Sequence, residues 1–198
     1  MLRNTMEFHP VTSDRWTDVV ALFGPRGACG GCWCMTWRLS SSEYEREKGA
    51  GNRASFERIV KSGLEPGILA YEDGQPIGWC AVAPRGEFPR LARSRVLKPL
   101  DDSPVWSIVC LFVRKSHRSR GVGTALIRAA ALFAASKGAK VVEGYPVEPK
   151  KDHMPDVFAF TGIASSFLAA GFHEAARRSD TRPIMRLVVA DSPALGAA

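Results

Sequence analysis

Six consecutive residues, Arg118-Ser119-Arg120-Gly121-Val122-Gly123, have the types and spacing to hold an anion. The apolar run VWSIVCLFV precedes them from Val105, and TALIRAAALFAASKG follows from Thr124. The first is too short for most helices and dense in Val, Ile, Leu and Phe, so it reads as a strand buried on both faces. Beyond the turn, Val122, Ala125, Leu126, Ala129 and Phe133 recur at helical spacing, and Gly138 supplies a helix stop. A strand, a basic glycine-containing turn and a helix together aim backbone N–H groups and a helix dipole at one point. Glycine lets a phosphate approach that backbone without a side chain in the way. Two commoner phosphate motifs fail: Leu126 stands where the dinucleotide fingerprint needs its third glycine, and the G-K-[ST] of the P-loop is absent. The bland alternative is an ordinary basic strand-to-helix turn.

A second constellation is Cys29-x-x-Cys32-x-Cys34, interleaved with Trp33, Met35, Trp37 and Arg38. A structural zinc site takes four ligands, and no nearby Cys or His supplies the fourth. A thioredoxin-like CxxC opens a helix after a strand, whereas glycines flank this one. The remaining reading is a tight turn of small residues beneath Trp33 and Trp37, and no metal is expected. Cys80 and Cys110 fall in strands as small hydrophobes. His117 reads as a solvated surface residue, and His153 lies on a long charged loop that could approach a substrate.

The chain of 198 residues suits one α/β domain, 1–190, with 191–198 as a flexible tail. No apolar run approaches the ~18 residues of a membrane span, and the N-terminus lacks a signal-peptide core, so a cytoplasmic protein with no membrane partner is expected. Five unevenly spread cysteines argue against a secreted disulfide framework. The net charge of +7 invites nucleic acid, but the basic residues fall in three clusters, 85–98, 114–120 and 177–186. The middle cluster already has a polyanionic ligand, so nucleic acid is not expected as a partner.

The remaining elements follow from periodicity. Glu7–Val11 reads as a strand; Ser13 is placed to cap a helix containing Trp16, Val19, Val20 and Phe23, ended by Gly24-Pro25. Helical pattern resumes at Ser42–Lys48 and Ala54–Val60, with Asn52 as a cap. Gly67–Glu72 and Ile77–Ala83 flank Asp73-Gly74 as a hairpin. Long loops are expected at Pro84–Pro104 and Pro146–Thr161, strands at Lys140–Tyr145, Phe172–Arg177 and Ile184–Val189, and a helix at Ile163–Ala170.

Arg118-x-x-Gly121-x-Gly123, five residues beyond Val113, resembles the R/Q-x-x-G-x-G/A acetyl-CoA signature of the GNAT acetyltransferase superfamily. The element order from Met6 to Val189 is also similar to that fold, and the Gly-Cys-Trp-Cys segment resembles a poorly characterised bacterial branch of it. The resemblance implies an α/β (α+β) GNAT fold: a mixed, largely antiparallel sheet with a splayed parallel strand pair, flanked by helices. It implies acetyl-CoA as co-substrate on Arg118, Ser119, Arg120, Gly121, Val122, Gly123 and Thr124, with the pantetheine arm along Leu111, Phe112 and Val113. A backbone N–H near Cys110–Leu111 would polarise the thioester carbonyl. The acceptor would be a small-molecule or peptide amine, with Trp33, Met35, Trp37 and Arg38 lining its pocket, and a homodimer is possible.

Glu143, on a strand face with Val141 and Tyr145, is then a candidate base; the alternative is a solvated edge residue or an ion-pair partner. The family's tyrosine that protonates the departing thiolate corresponds to Phe167 in Phe167-Leu168-Ala169-Ala170-Gly171-Phe172. Tyr145, Ser165, Ser166 or water could substitute, or the thiolate could leave unassisted. Two other functions stay open: a non-catalytic CoA-binding module and a basic nucleic-acid binder.

Overall fold

The computed structural model describes residues 5–149 and 159–189, so His153 and the 191–198 tail lie outside the described residues. Its strands are β1 (Glu7–Pro10), β2 (Gly67–Glu72), β3 (Gln75–Pro84), β4 (Trp106–Val113), β5 (Val141–Gly144), β6 (His173–Arg177) and β7 (Pro183–Val188). They form one seven-stranded sheet in the order β1-β2-β3-β4-β5-β7-β6. Only β4 and β5 run parallel; every other neighbouring pair is antiparallel. The helices are α1 (Trp16–Phe23), α2 (Ser41–Arg46), α3 (Ala50–Lys61), α4 (Pro89–Arg93), α5 (Val122–Ser136) and α6 (Ala164–Ala169).

Two cores cover the two faces of the sheet. One packs α1, α3 and the 33–39 segment on Leu69, Trp79 and Val109, with Phe23, Phe56 and Trp79 in mutual ring contact. The other seats α5 on Ile68, Cys80 and Ile108 through Val122, Leu126, Ile127, Ala130, Ala131 and Ala134. Full burial of Leu126 and Ile127 contributes roughly 2 kcal/mol each. A Cβ on Gly78 of β3 would lie 2.8 Å from Leu126 Cδ1, so glycine there lets the start of α5 sit close to the sheet.

The hairpin forms as its Asp-Gly pair directs: Asp73 and Gly74 both have positive φ, 50° and 71°, the pattern of a type I′ turn. Several boundaries differ from expectation, each for a local reason. Thr12, not Ser13, precedes the first short 3₁₀ turn, and neither side chain makes a capping bond there. Ser40 starts α2 through a reciprocal capping box with Glu43. Asn52 does not cap α3; it is buried inside that helix and donates to the Gly31 carbonyl at 3.2 Å. The 84–104 excursion is structured: it carries a 3₁₀ turn and α4, and Arg178 donates to the carbonyls of Val96, Lys98 and Pro99.

The central strands position the site. β4 and β5 pair at Trp106↔Val142, Ser107↔Glu143 and Ile108↔Gly144, and β5 then ends. β4 continues to Val113 with no strand of the described residues on that side. Ser107 to Val109 are therefore buried, whereas Cys110 to Val113 are half-buried, which corrects the expectation of a strand covered on both faces throughout.

Candidate active site

The 114–124 turn is held from two sides. Glu72, at the end of β2, receives Arg120 Nη2 at 2.7 Å and lies 3.2 Å from His117 Nε2. Arg114 N donates to the Ile77 carbonyl, and Arg118 Nε donates to the Val113 carbonyl at 3.0 Å. The two arginines of the motif thus part company: Arg118 folds back against the end of β4, and Arg120 turns outward to Glu72.

The glycines differ as well. Gly121 precedes α5 in the left-handed region at φ 79°, which a side chain adopts only with strain. Gly123 lies inside the first turn of α5, and a Cβ there would meet no atom within 4 Å. Nothing in the fold requires glycine at 123, and the space in front of its backbone is open. The first turn of α5 carries no acidic side chain and no capping side chain, leaving its N–H groups and dipole free for an anion.

From this turn a groove of about 530 Å³ runs along the edge of β4 beyond its pairing with β5. Leu111, Phe112, Val113, Arg118, Ser119, Gly121, Val122, Gly123 and Thr124 line it; of the residues expected at the cofactor only Arg120 does not. His117 and Ile127, with Ala28, Cys29, Ala159, Phe160, Gly162, Ile163 and Ser166, complete the wall, so His117 borders the groove rather than open solvent. Sequence reasoning did not assign the last seven, apart from Ser166 as a possible proton donor, because they come from the loop after α1 and the segment leading into α6, which no local pattern ties to β4. The backbone segment 159–163 meets β4 at Leu111: Phe160 O accepts from Leu111 N at 2.6 Å, and the Phe160 ring stacks on Trp37 at 6.5 Å.

Glu143 and Tyr145 come together but do not border the groove. Tyr145 OH donates to Glu143 Oε2 at 2.7 Å and lies 2.8 Å from Ser107 Oγ. Arg85 donates to both, at 2.5 Å to the phenol and 3.3 Å to the carboxylate, and Arg186 Nε reaches Glu143 Oε1 at 2.7 Å. Arg186 also holds Asp101, whose carboxyl is kept well below the usual range chiefly by those hydrogen bonds. Burial, then the neighbouring Glu143 charge, pushes the Tyr145 hydroxyl well above its ordinary value. The Glu143 side chain is 1 % exposed. Its expected place facing a substrate is therefore replaced by the ion-pair alternative, because two guanidinium groups occupy both its oxygens.

The acceptor candidates also separate. Trp33 and Met35 are 4 % and 2 % exposed and belong to the core. Trp33 covers the glycine turn, where a Cβ on Gly27 would lie 2.2 Å from its ring nitrogen. The Arg38 side chain is 7 % exposed, pairs with Glu87 at 3.0 Å and lies over the Phe88 ring. It borders a separate cavity of about 300 Å³ with Trp106, at the far end of β4 from the turn. None of the four lines the groove; Trp37 touches its wall through the Phe160 ring. Cys34 receives the Trp79 indole N–H at 3.1 Å, and its thiol is shifted down, chiefly by a hydrogen bond from Cys110. No group of three or more His, Cys, Asp or Glu able to hold a metal occurs among the described residues. Among the same residues no helix is long and apolar enough to cross a membrane.

The model of the acetyltransferase (GNAT) family matches residues 33–151. Among solved structures, PaiA N-acetyltransferase from Thermoplasma acidophilum in complex with coenzyme A is similar, at 16 % identity and TM-score 0.51, over 93 % of this chain and 99 % of that one. A GNAT-family acetyltransferase from Streptococcus agalactiae is similar at 12 % identity and TM-score 0.56, over 93 % and 96 %. The diaminobutyrate acetyltransferase of Paenibacillus lautus, in complex with its substrate and coenzyme A, gives 12 % and 0.50, over 93 % and 95 %. Among curated proteins, none matches the chain in sequence.

Proposed function

The chain belongs to the GNAT acetyltransferase family, and on that premise we propose that it transfers an acetyl group from acetyl-CoA to an amine by direct attack in a ternary complex. The observation that carries this reading is the groove itself. An uncapped helix N-terminus with open space at Gly123 continues into a β4 edge that β5 abandons after Gly144. A long, flexible molecule with a polyanionic end and an amide-bearing arm fits that sequence of surfaces. The coenzyme A bound in the Thermoplasma and Paenibacillus structures is consistent with it.

The residues then take distinct roles. Backbone N–H groups of 121–124, with the Thr124 hydroxyl and Arg118, hold the pyrophosphate. Leu111, Phe112 and Val113 offer backbone groups to the pantetheine arm, and the N–H of Leu111 faces the thioester carbonyl. Acetyl-CoA supplies an activated acyl group; the protein's part is to orient it and manage two protons. Ser166, across the groove from the turn that carries Ser119 and Thr124, brings a hydroxyl to its wall and is assigned to the departing thiolate. Tyr145 is not, since its one proton is committed to Glu143. Glu143 and Tyr145 instead fix the end of β5 where the strands diverge, and water removes the amine proton.

The substrate of the Paenibacillus enzyme, L-2,4-diaminobutyric acid, is a small amine, and a small-molecule amine is the acceptor class proposed here. Titration of acetyl-CoA into the protein, followed by release of free thiol across an amine panel, tests the whole reading. Absence of acetyl-CoA binding would sink it. A second reading, a CoA-binding module without turnover, is favoured by one observation: Phe167, at the family's tyrosine position, is fully buried against Gly144 and has no proton to give. Binding without thiol release from any amine would select that reading. A basic nucleic-acid surface is disfavoured because Arg85, Arg178 and Arg186 are occupied internally.

A further inference from the structure

The backbone donor that the transferase reading needs at the thioester end is already taken. Leu111 N–H donates to Phe160 O at 2.6 Å, so residue 160 stands where the pantetheine arm would pair. Its side chain closes the same spot from the other side. The Phe160 ring lies on Trp37 with an interplanar angle of 30°, sealing the approach from the 33–39 segment. This closed arrangement leaves the Trp37 indole Nε1 buried with no hydrogen-bond partner, an unfavourable state for a donor.

The neighbouring residues are anchored elsewhere. Arg182 holds the buried Thr161 hydroxyl at 3.0 Å. Val147 N donates to the Gly162 carbonyl, and Ala164 N donates to the Val147 carbonyl. Gly162 sits at φ 85°, with Leu111 and Phe167 so close that a Cβ would lie within 2.9 Å of both. Gly162 N also donates to the Ala159 carbonyl at 2.8 Å, so Ala159 and Phe160 turn back from a Thr161-Gly162 pivot held by these contacts.

We propose that Ala159–Phe160 is a gate across the thioester end of the groove, latched by the Phe160–Trp37 stack, which must open for acetyl-CoA to reach Leu111 and for an amine to reach the thioester. The proposal rests on the acetyl-CoA reading above. Closing removes a binding-competent fraction, so apparent affinity is the intrinsic affinity multiplied by the open fraction. Weakening the latch raises that fraction and tightens binding without any new contact to the ligand.

The test is calorimetric titration of CoA and acetyl-CoA into wild type, Phe160→Ala, Trp37→Leu and Phe160→Tyr, each confirmed folded by circular dichroism. Loss of one aromatic stack should tighten binding by about threefold to tenfold in Phe160→Ala and in Trp37→Leu. Phe160→Tyr keeps the stack and should bind as wild type does. The two disruptive variants remove the latch from opposite partners, so any folded one of them that fails to tighten overturns the gate. The transferase reading survives that result as long as wild type binds. Failure of every protein to bind would overturn the transferase reading and the gate with it.

Discussion

Replacing Gly123 by alanine should move stability and ligand binding in opposite directions. Gly123 lies in helical backbone one residue inside α5, and an added Cβ meets no atom within 4 Å. A methyl group there reduces the freedom of the unfolded chain and suits the helix, which stabilises by up to about 1 kcal/mol. For a chain of this length that corresponds to a rise of about 2–4 °C in Tm. The same methyl projects into the space assigned to the pyrophosphate and holds it away from the helix N–H groups. Losing one hydrogen bond to a charged group removes about 1.5–3 kcal/mol, a weakening of about 10- to 150-fold in CoA binding. Gly121→Ala is the contrasting control: at φ 79° the substitution strains the backbone by about 1–2 kcal/mol and lowers Tm. Differential scanning calorimetry and isothermal titration on the same samples measure both effects. A Gly123→Ala protein with raised Tm and CoA affinity within about twofold of wild type would refute the placement of the phosphates, since about 0.4 kcal/mol is less than one such bond.

Other consequences follow from the buried network and the groove wall. Glu143→Gln leaves the Arg85 and Arg186 guanidinium groups, whose side chains are 14 % and 16 % exposed, short of their shared carboxylate. Urea unfolding should show a loss of about 3 kcal/mol, with CoA affinity unchanged because the network does not border the groove. All three tyrosines are shifted up, Tyr44 and Tyr145 chiefly by burial and Tyr71 by burial and its bond to Asp18. The folded state then keeps these protons when the unfolded chain has lost them, so their stabilisation is complete below about pH 10 and fades as pH rises above it. Ultraviolet titration should find less tyrosinate near pH 10 in native protein than in urea, where the ordinary rise appears. Ser166→Ala should lower kcat by about a hundredfold, the low end of acid catalysis, with CoA affinity preserved; an unchanged kcat would assign the thiolate's proton to water.

What the sequence made legible was whatever is written within a few residues. The run from Val105 to Gly138 encodes strand, turn and helix in consecutive positions, so β4 and α5 could be read directly, and nine of the ten residues expected at a cofactor line the groove. Arg120 shows where that reading stops. Nothing local says which of two arginines two residues apart faces the groove; Glu72, 48 residues away, decides it. The same limit governs Glu143. Strand alternation placed it on a face with Tyr145, but only the arrival of Arg85 and Arg186 from distant segments turned a possible base into the centre of an ion-pair network. Trp33 and Met35 could be read as pocket or core from composition alone, and Gly27 settles the matter by admitting the Trp33 ring where any side chain would collide with it. Phe160 lies furthest out of reach. Its contribution is a backbone carbonyl, which every residue type carries, and a ring contact to Trp37 across more than a hundred residues of chain. Chemistry done by side chains in one turn is therefore readable from that turn, whereas chemistry done by backbone groups, or by charges meeting across the sheet, depends on register and on which strand ends first. In this protein β5 ends at Gly144, and the groove, the free edge of β4 and the gate that covers it all follow from that single stop.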